Sequence, residues 1–207
     1  RRYAYISAVA GVLLVIGIAL TWWVQPFEEE GMMEQSFRSG NGQGMLTLKH
    51  GVVVPLKRDV KEVIVADTTL RVTNEGNTLV YSVMQGVALE DTYNVLTVPV
   101  GGEFRVILSD GTMVFLNSGS ELRYPEVFRD GQREVFLKGE AWFEVAKDSV
   151  RPFRVHAGEM DVRVLGTSFN VKAYERMESI AMTLVTGSVE VTCNYKSFRI
   201  VPGEQFE

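Results

Sequence analysis

The N-terminal part of the chain differs from the rest in its hydrophobic pattern. No charged residue lies between Arg2 and Glu28, and residues 4–24 would as a helix be about 30 Å long, the thickness of a hydrocarbon core. Arginines precede this stretch and glutamates follow it, so the positive-inside rule predicts a cytoplasmic N-terminus and a single transmembrane helix within residues 1–27. A buried core helix and a cleaved signal peptide fit less well, because the stretch has neither a charged face nor an Ala-x-Ala-like cleavage site.

Beyond residue 44 the pattern is typical of β-strands. Short runs rich in Val, Leu, Thr, Tyr and Phe recur about every 8–12 residues, and Gly, Asn, Asp or Pro separates them. The runs at 134–137 and 141–145 are predicted as separate strands, and Ser109-Asp110-Gly111 has the composition of a hairpin turn. We therefore expect an all-β fold, an antiparallel two-sheet or rolled β-domain preceded by the transmembrane helix. Solenoid-like stacking is a minor alternative, because residues 46–56 and 106–116 share a pattern.

Charge and cysteine content exclude two classes of protein. The net charge is −5, and the basic residues form no cluster larger than Lys57-Arg58, so we expect no nucleic-acid binding. Cys193 is the only cysteine, which rules out an intramolecular disulfide, and the fold must be stabilised by its core. The alternating run around Cys193 favours an ordinary strand position over a reactive thiol.

Catalytic signals are weak. Glu140, Trp142 and Glu144 share one face of a predicted strand and resemble a carbohydrate site in composition. At ~3.3 Å per residue the two carboxylates would stand ~13 Å apart, beyond the roughly 5–9.5 Å used by glycosidases. His50 is predicted in a solvated turn, and His156 as a half-buried partner of a backbone carbonyl. Neither has metal-ligand spacing, and Gly-x-Ser-x-Gly is absent. We therefore expect no enzyme activity and no catalytic, cofactor-binding or metal-binding residue.

A series of motifs in the second half of the chain resembles the FecR family, in the family's order. They are Val98–Asn117 (VPVGGEFRVILSDGTMVFLN), Ser120–Pro125, Val135–Val145 (VFLKGEAWFEV), Pro152-Phe153, Val164–Val171 (VLGTSFNV), Leu184–Val191 and Pro202–Gln205. Within them we interpret Gly166–Val171 as a structural turn entering a strand, with Gly166 and Asn170 at special backbone angles and Phe169 in the core, rather than as a partner contact. Trp142 and Phe143 are adjacent and should face opposite sides of their strand, one of them into the core.

The resemblance implies a transmembrane anti-sigma factor of the type found in Bacteroidetes. Such a protein binds an extracytoplasmic-function sigma factor through a short cytoplasmic domain. It crosses the inner membrane once, and its periplasmic domain receives a signal from the N-terminal domain of a TonB-dependent outer-membrane transducer. The sigma-binding domain is expected before Arg1, and a small α/β domain after Glu207.

Combined with the hydrophobic pattern, this layout divides the chain into four segments. Residues 1–27 are the membrane helix with a short cytoplasmic flank, 28–44 a flexible periplasmic stalk, 45–97 an N-terminal β region, and 98–207 a FecR-like β core. The alternative function is a membrane-anchored periplasmic carbohydrate-binding β-domain, indicated by Trp142 between its two glutamates.

Overall fold

The computed structural model describes residues 44–57, 59–66, 70–84, 92–129, 131, 133–177 and 179–207. The predicted membrane helix and nearly all of the predicted stalk lie outside these residues. Within the described ranges, no helix is long and apolar enough to cross a membrane.

The described residues form strands and a single 3-10 turn, Lys49–Gly51, which confirms the all-β prediction for this part of the chain. Along most strands buried and exposed positions alternate, since successive side chains point to opposite faces of a sheet. The strands are β1 (Met45–Thr47), β2 (Val53–Pro55), β3 (Lys61–Ala66), β4 (Leu70–Glu75), β5 (Thr78–Val83), β6 (Tyr93–Thr97), β7 (Phe104–Ile107), β8 (Met113–Leu116), β9 (Glu121–Pro125), β10 (Arg133–Glu144), β11 (Phe153–Ala157), β12 (Met160–Val164), β13 (Ser168–Ala173), β14 (Ala181–Thr186), β15 (Val189–Cys193), β16 (Lys196–Ile200) and β17 (Gln205–Phe206).

These strands form two sheets that share β10. Sheet A has the order β2-β1-β6-β9-β10-β11-β12-β15-β16. Sheet B has the order β3-β4-β5-β7-β8-β10-β13-β14-β17. The pairs β10–β11 and β5–β7 are parallel and the other pairs are antiparallel. The prediction of an all-β domain with a two-sheet or rolled arrangement is therefore confirmed, and the two sheets are continuous through β10. The predicted antiparallel arrangement is wrong for the two parallel pairs. The strand order in both sheets nearly follows the order along the chain.

Aromatic side chains pack between the two sheets. Phe143 of sheet B stacks on its neighbour Phe169 with ring centroids 5.1 Å apart, and it lies 6.3 Å from Phe153 of sheet A. All three are fully buried within one continuous cluster of apolar residues from both sheets. The core therefore lies between the sheets, and the outer faces remain for polar residues and for binding.

Strand β10 replaces the two separate strands predicted at 134–137 and 141–145. Phe136–Lys138 pair with β9 in sheet A, whereas Gly139–Glu144 pair with β13 in sheet B. Gly139 has φ +94°, and a Cβ atom there would lie 2.5–2.8 Å from Ser120. The Ser120 hydroxyl accepts a hydrogen bond from the Glu140 amide (2.8 Å) and donates one to the Glu140 carbonyl (3.0 Å). Glycine thus carries the chain from one sheet to the other.

Replacement of Gly139 by alanine should destabilise the domain. The left-handed φ alone costs ~1–3 kcal/mol, and the clash with Ser120 adds to this cost, so we expect the free energy of unfolding to fall by at least about 3 kcal/mol. Chemical denaturation measures this value.

The matched control is Gly101→Ala. Gly101 has a similar φ of +82°, but nothing lies within 4 Å of the position that a Cβ would take there, so this variant should show only the backbone cost. Equal losses in the two variants would contradict the close approach at Gly139.

Candidate functional site

A groove of about 490 Å³ lies on the outer face of sheet B. We call it the sheet B groove. The side chains that matter most for its chemistry are those of Arg105, Phe115, Asn117, Glu140, Trp142 and Asn170. The predicted carbohydrate-like residues Glu140 and Trp142 are among them, brought there by the second half of β10.

Strand register sets the order of side chains along the groove. Arg105 of β7 lies opposite Phe115 of β8, Phe115 opposite Trp142 of β10, and Trp142 opposite Asn170 of β13. Their neighbours in sequence point inward, and Phe143 is fully buried. The prediction that Trp142 and Phe143 face opposite sides is therefore confirmed, with Phe143 in the core.

Glu140 anchors the polar side of the groove. Its two carboxylate oxygens accept hydrogen bonds from the side-chain amides of Asn170 (3.0 Å) and Asn117 (3.2 Å). Glu144 lies beyond the groove and accepts a hydrogen bond from the Trp142 indole (3.1 Å). The carboxylates of Glu140 and Glu144 thus accept hydrogen bonds from different side chains.

Arg105 lies at the opposite end of the groove from Asn170 in this cross-strand order. Its Nε donates to the Thr78 hydroxyl (2.9 Å), and its guanidinium carbon lies 5.7 Å from the centre of the Phe115 ring. The cation therefore rests over one face of the Phe115 ring, and its terminal nitrogens are donors without a partner among the described residues.

His156 lies on the outer face of sheet A. Its ring stacks on Phe136 with centroids 4.8 Å apart, and its Nδ1 lies 3.3 Å from an Asp161 oxygen. A carboxylate oxygen of Glu134 lies 3.7 Å from Nε2. The half-buried position is confirmed, but the predicted backbone-carbonyl partner is wrong. Cross-strand register brings carboxylates to this side chain, which single-strand patterning does not reveal.

The other predicted positions are structural. Cys193 ends β15 and is half-buried, as expected for a strand residue. His50 lies in the 3-10 turn, and its side chain is outside the described residues. Among the residues that the structure describes, no three His, Cys, Asp or Glu side chains could hold a metal ion together.

The motif Gly166–Val171 forms the predicted turn and strand entry. Gly166 has φ +147°, and a Cβ there would lie 2.7–2.8 Å from Lys147 atoms, while Phe169 is fully buried. The prediction of a special backbone angle at Asn170 is wrong. Asn170 lies in β13, where its amide is needed as a donor to Glu140.

A second groove, of about 900 Å³, runs past this motif and along β12, β15 and β16. An ion pair between Arg163 and Glu190 (3.3 Å) crosses it. In the adjoining loop, hydrogen bonds from the Arg151 backbone, the Arg151 side chain and the Val150 amide lower the pKa of Asp148 to about 2. Asp148 thus stays ionised and orders the loop at any physiological pH.

The sequence pattern did not predict a buried ion pair between Asp110, in the Ser109-Asp110-Gly111 turn, and Arg133 at the start of β10. Asp110 lies 2.9 Å from Arg133, and their side chains are 6% and 1% exposed. The amide and the hydroxyl of Thr112 donate to Asp110, while Arg133 also donates to the carbonyls of Ala146 and Arg151. One signal was available: Arg133 is in phase with the buried Val135 and Leu137 of β10.

A second polar cluster joins the sheets through the core. The hydroxyls of Tyr81 in sheet B and Tyr124 in sheet A lie 3.0 Å apart, and the Asn94 amide donates to Tyr81 (2.7 Å). Burial raises the pKa of both tyrosines well above the usual value, so both stay protonated and act as structural hydrogen-bonding groups.

Fold and site define a two-sheet, all-β domain with a mixed aromatic and polar groove on one outer face. The FecR protein family model matches residues 94–190. This match covers most of the motifs listed above, and the resemblance inferred from them is confirmed.

Two crystal structures of a candidate anti-sigma factor from Parabacteroides distasonis ATCC 8503 are similar to this chain. One is 43% identical, with 55% of this chain and 53% of the other covered and a TM-score of 0.54. The second is 44% identical, with 54% and 52% covered and a TM-score of 0.53. The chain thus spans about half the length of these proteins. No curated protein sequence matches it.

The Asp110–Arg133 pair predicts a large mutational effect. Asp110→Ala leaves a buried guanidinium without its counter-ion, and loss of one partner of a buried pair costs about 3–5 kcal/mol. We expect a loss of that size in the free energy of unfolding, measured by urea denaturation.

Lys138→Ala is the control, because the pair between Lys138 and Glu175 (3.2 Å) has side chains that are 65% and 75% exposed. Its removal should change stability by less than about 1 kcal/mol. Comparable effects for the two variants would refute the importance of the buried pair.

Proposed function

We propose that this chain carries the periplasmic sensor region of a single-pass anti-sigma factor. The membrane helix predicted in residues 1–27 anchors it in the inner membrane with the N-terminus in the cytoplasm. The β-domain receives a signal from the N-terminal domain of a TonB-dependent transducer, and the protein passes it to an extracytoplasmic-function sigma factor in the cytoplasm. Its role is regulatory rather than catalytic.

The family match over residues 94–190 carries this proposal. It is supported by 43–44% identity to candidate anti-sigma factors over about half of their length. The charge asymmetry around residues 4–24 supports the topology, because it orients the helix with the β-domain outside the cytoplasm.

Signal transfer imposes a thermodynamic requirement on this arrangement. A transducer shifts the equilibrium between two states only if it binds them with different affinity. Since the β-domain and the sigma factor are on opposite sides of the membrane, the helix must differ between the two states in position, packing or integrity.

Binding of the transducer tests the proposal. The chain is placed in lipid nanodiscs and titrated with the N-terminal signalling domain of the transducer encoded beside it, with calorimetry as the readout. We expect a saturable complex of one domain per chain, because specific signalling pairs present complementary surfaces.

The signalling domain of a transducer from a different system, matched in size and charge, serves as the control and should not bind. If no co-encoded transducer domain binds, the proposed relay is wrong.

A further inference from the structure

The sheet B groove contains two adjacent aromatic side chains that are partly exposed to solvent. Phe115 is 37% exposed and lies directly opposite the half-buried Trp142 on the neighbouring strand. An accessible aromatic ring buries the apolar C–H surface of a ligand and leaves the polar groups at the edge of the ligand free to form hydrogen bonds. A sugar ring has such a surface, with hydroxyls around its rim.

Polar groups in fixed orientations flank these rings. Glu140 holds the Asn117 and Asn170 amides by their nitrogens, so the side-chain oxygen of Asn170 is left as an acceptor without a partner in the described part of the chain. At the opposite end, the terminal nitrogens of Arg105 are donors, oriented by the bond from Nε to Thr78. Acceptors and donors on both sides of an aromatic platform match hydroxyl groups, which both donate and accept.

The charges in the groove favour an uncharged ligand. Arg105 contributes one positive charge, whereas Glu103 and Glu140 contribute two negative charges, and both signs are thus present within the same lining. Such a mixed field selects neither anions nor cations strongly.

Dimensions favour more than one sugar ring. The volume of about 490 Å³ is in the usual range for small-molecule sites. The row from Arg105 to Asn170 crosses four strands, which at ~4.8 Å between strands is about 14 Å.

From these observations we propose that the sheet B groove binds a neutral oligosaccharide, with Phe115 and Trp142 stacking on its rings and Asn170 and Arg105 bonding its hydroxyls. The proposal does not depend on the signalling role. A bound glycan would be recognised by the β-domain itself, separately from any transducer.

A titration on the intact chain tests the site. The chain is reconstituted in lipid nanodiscs, since sugar-headed detergents would compete, and is titrated with neutral hexasaccharides of glucose, xylose and mannose in their common linkages. We expect at least one of them to bind. Trp142→Ala and Phe115→Ala should each weaken that binding at least tenfold, and Asn170→Ala at least fivefold.

Phe198→Ala provides the matched control. Phe198 is an aromatic residue of similar exposure, 41%, on β16 of sheet A and outside the groove, so its removal should leave affinity unchanged. Circular dichroism melting of every variant shows which ones are folded, and Phe115→Ala on the rim of the groove tests the site if Trp142→Ala unfolds the domain.

Four results would overturn the proposal. They are an absence of binding by the folded chain, binding of charged glycans only, and binding that Phe115→Ala and Trp142→Ala leave unchanged. The fourth is loss of transducer binding in these two variants without any glycan binding, which would make the groove a protein interface.

Discussion

The passage of one strand through both sheets is the constraint on which the domain depends. At Gly139 the backbone of the strand has a left-handed φ angle. The residue there must also lack a side chain, because atoms of Ser120 lie too close to the position that a Cβ would take. The Ser120 hydroxyl forms hydrogen bonds with both the amide and the carbonyl of Glu140. These backbone groups therefore have partners at the point where β10 passes from sheet A to sheet B. Since Glu140 and Trp142 follow directly, the same bend sets the position of the groove.

The start of β10 is held by a different kind of contact. Arg133 is buried with Asp110, and the terminal nitrogen that donates to Asp110 also donates to the Ala146 carbonyl, while Nε donates to the Arg151 carbonyl. Its other terminal nitrogen has no hydrogen-bond partner among the described residues. Buried ion pairs add little net stability compared with apolar residues, but they penalise any arrangement that leaves a charge unpaired. We infer that the pair selects one register for β10 against the β7–β8 turn.

Much of the fold follows from the pattern of the sequence, because alternation of apolar and polar residues is a local property. It predicts most of the strands, the all-β class, the inward position of Phe169, and that one of Trp142 and Phe143 faces the core. Two features escape it. Apolar and polar residues alternate in the same way in parallel and antiparallel strand pairs, so the pattern does not predict that β10 and β11 are parallel. Glycine is typical of turns, so the pattern predicts a break at Gly139, although the strand continues through this residue.

Site features are harder to predict because they arise between strands. Asn170 reaches Glu140, and Phe115 reaches Trp142, only through the register of β8, β10 and β13. From sequence, Trp142 and Glu140 could be grouped because they lie on one strand. Arg105, Phe115 and Asn170 could not, since nothing local indicates which strands become neighbours.

The signalling account requires the β-domain to be outside the cytoplasm, and thiol labelling measures this most directly. Cys193 is the only cysteine, and Tyr195 is fully exposed in the β15–β16 turn, so a Cys193→Ser, Y195C chain carries one accessible thiol. The account predicts that a membrane-impermeant maleimide labels this thiol in intact spheroplasts, while a cytoplasmic control protein is labelled only after lysis. Labelling of position 195 only after lysis would contradict the account.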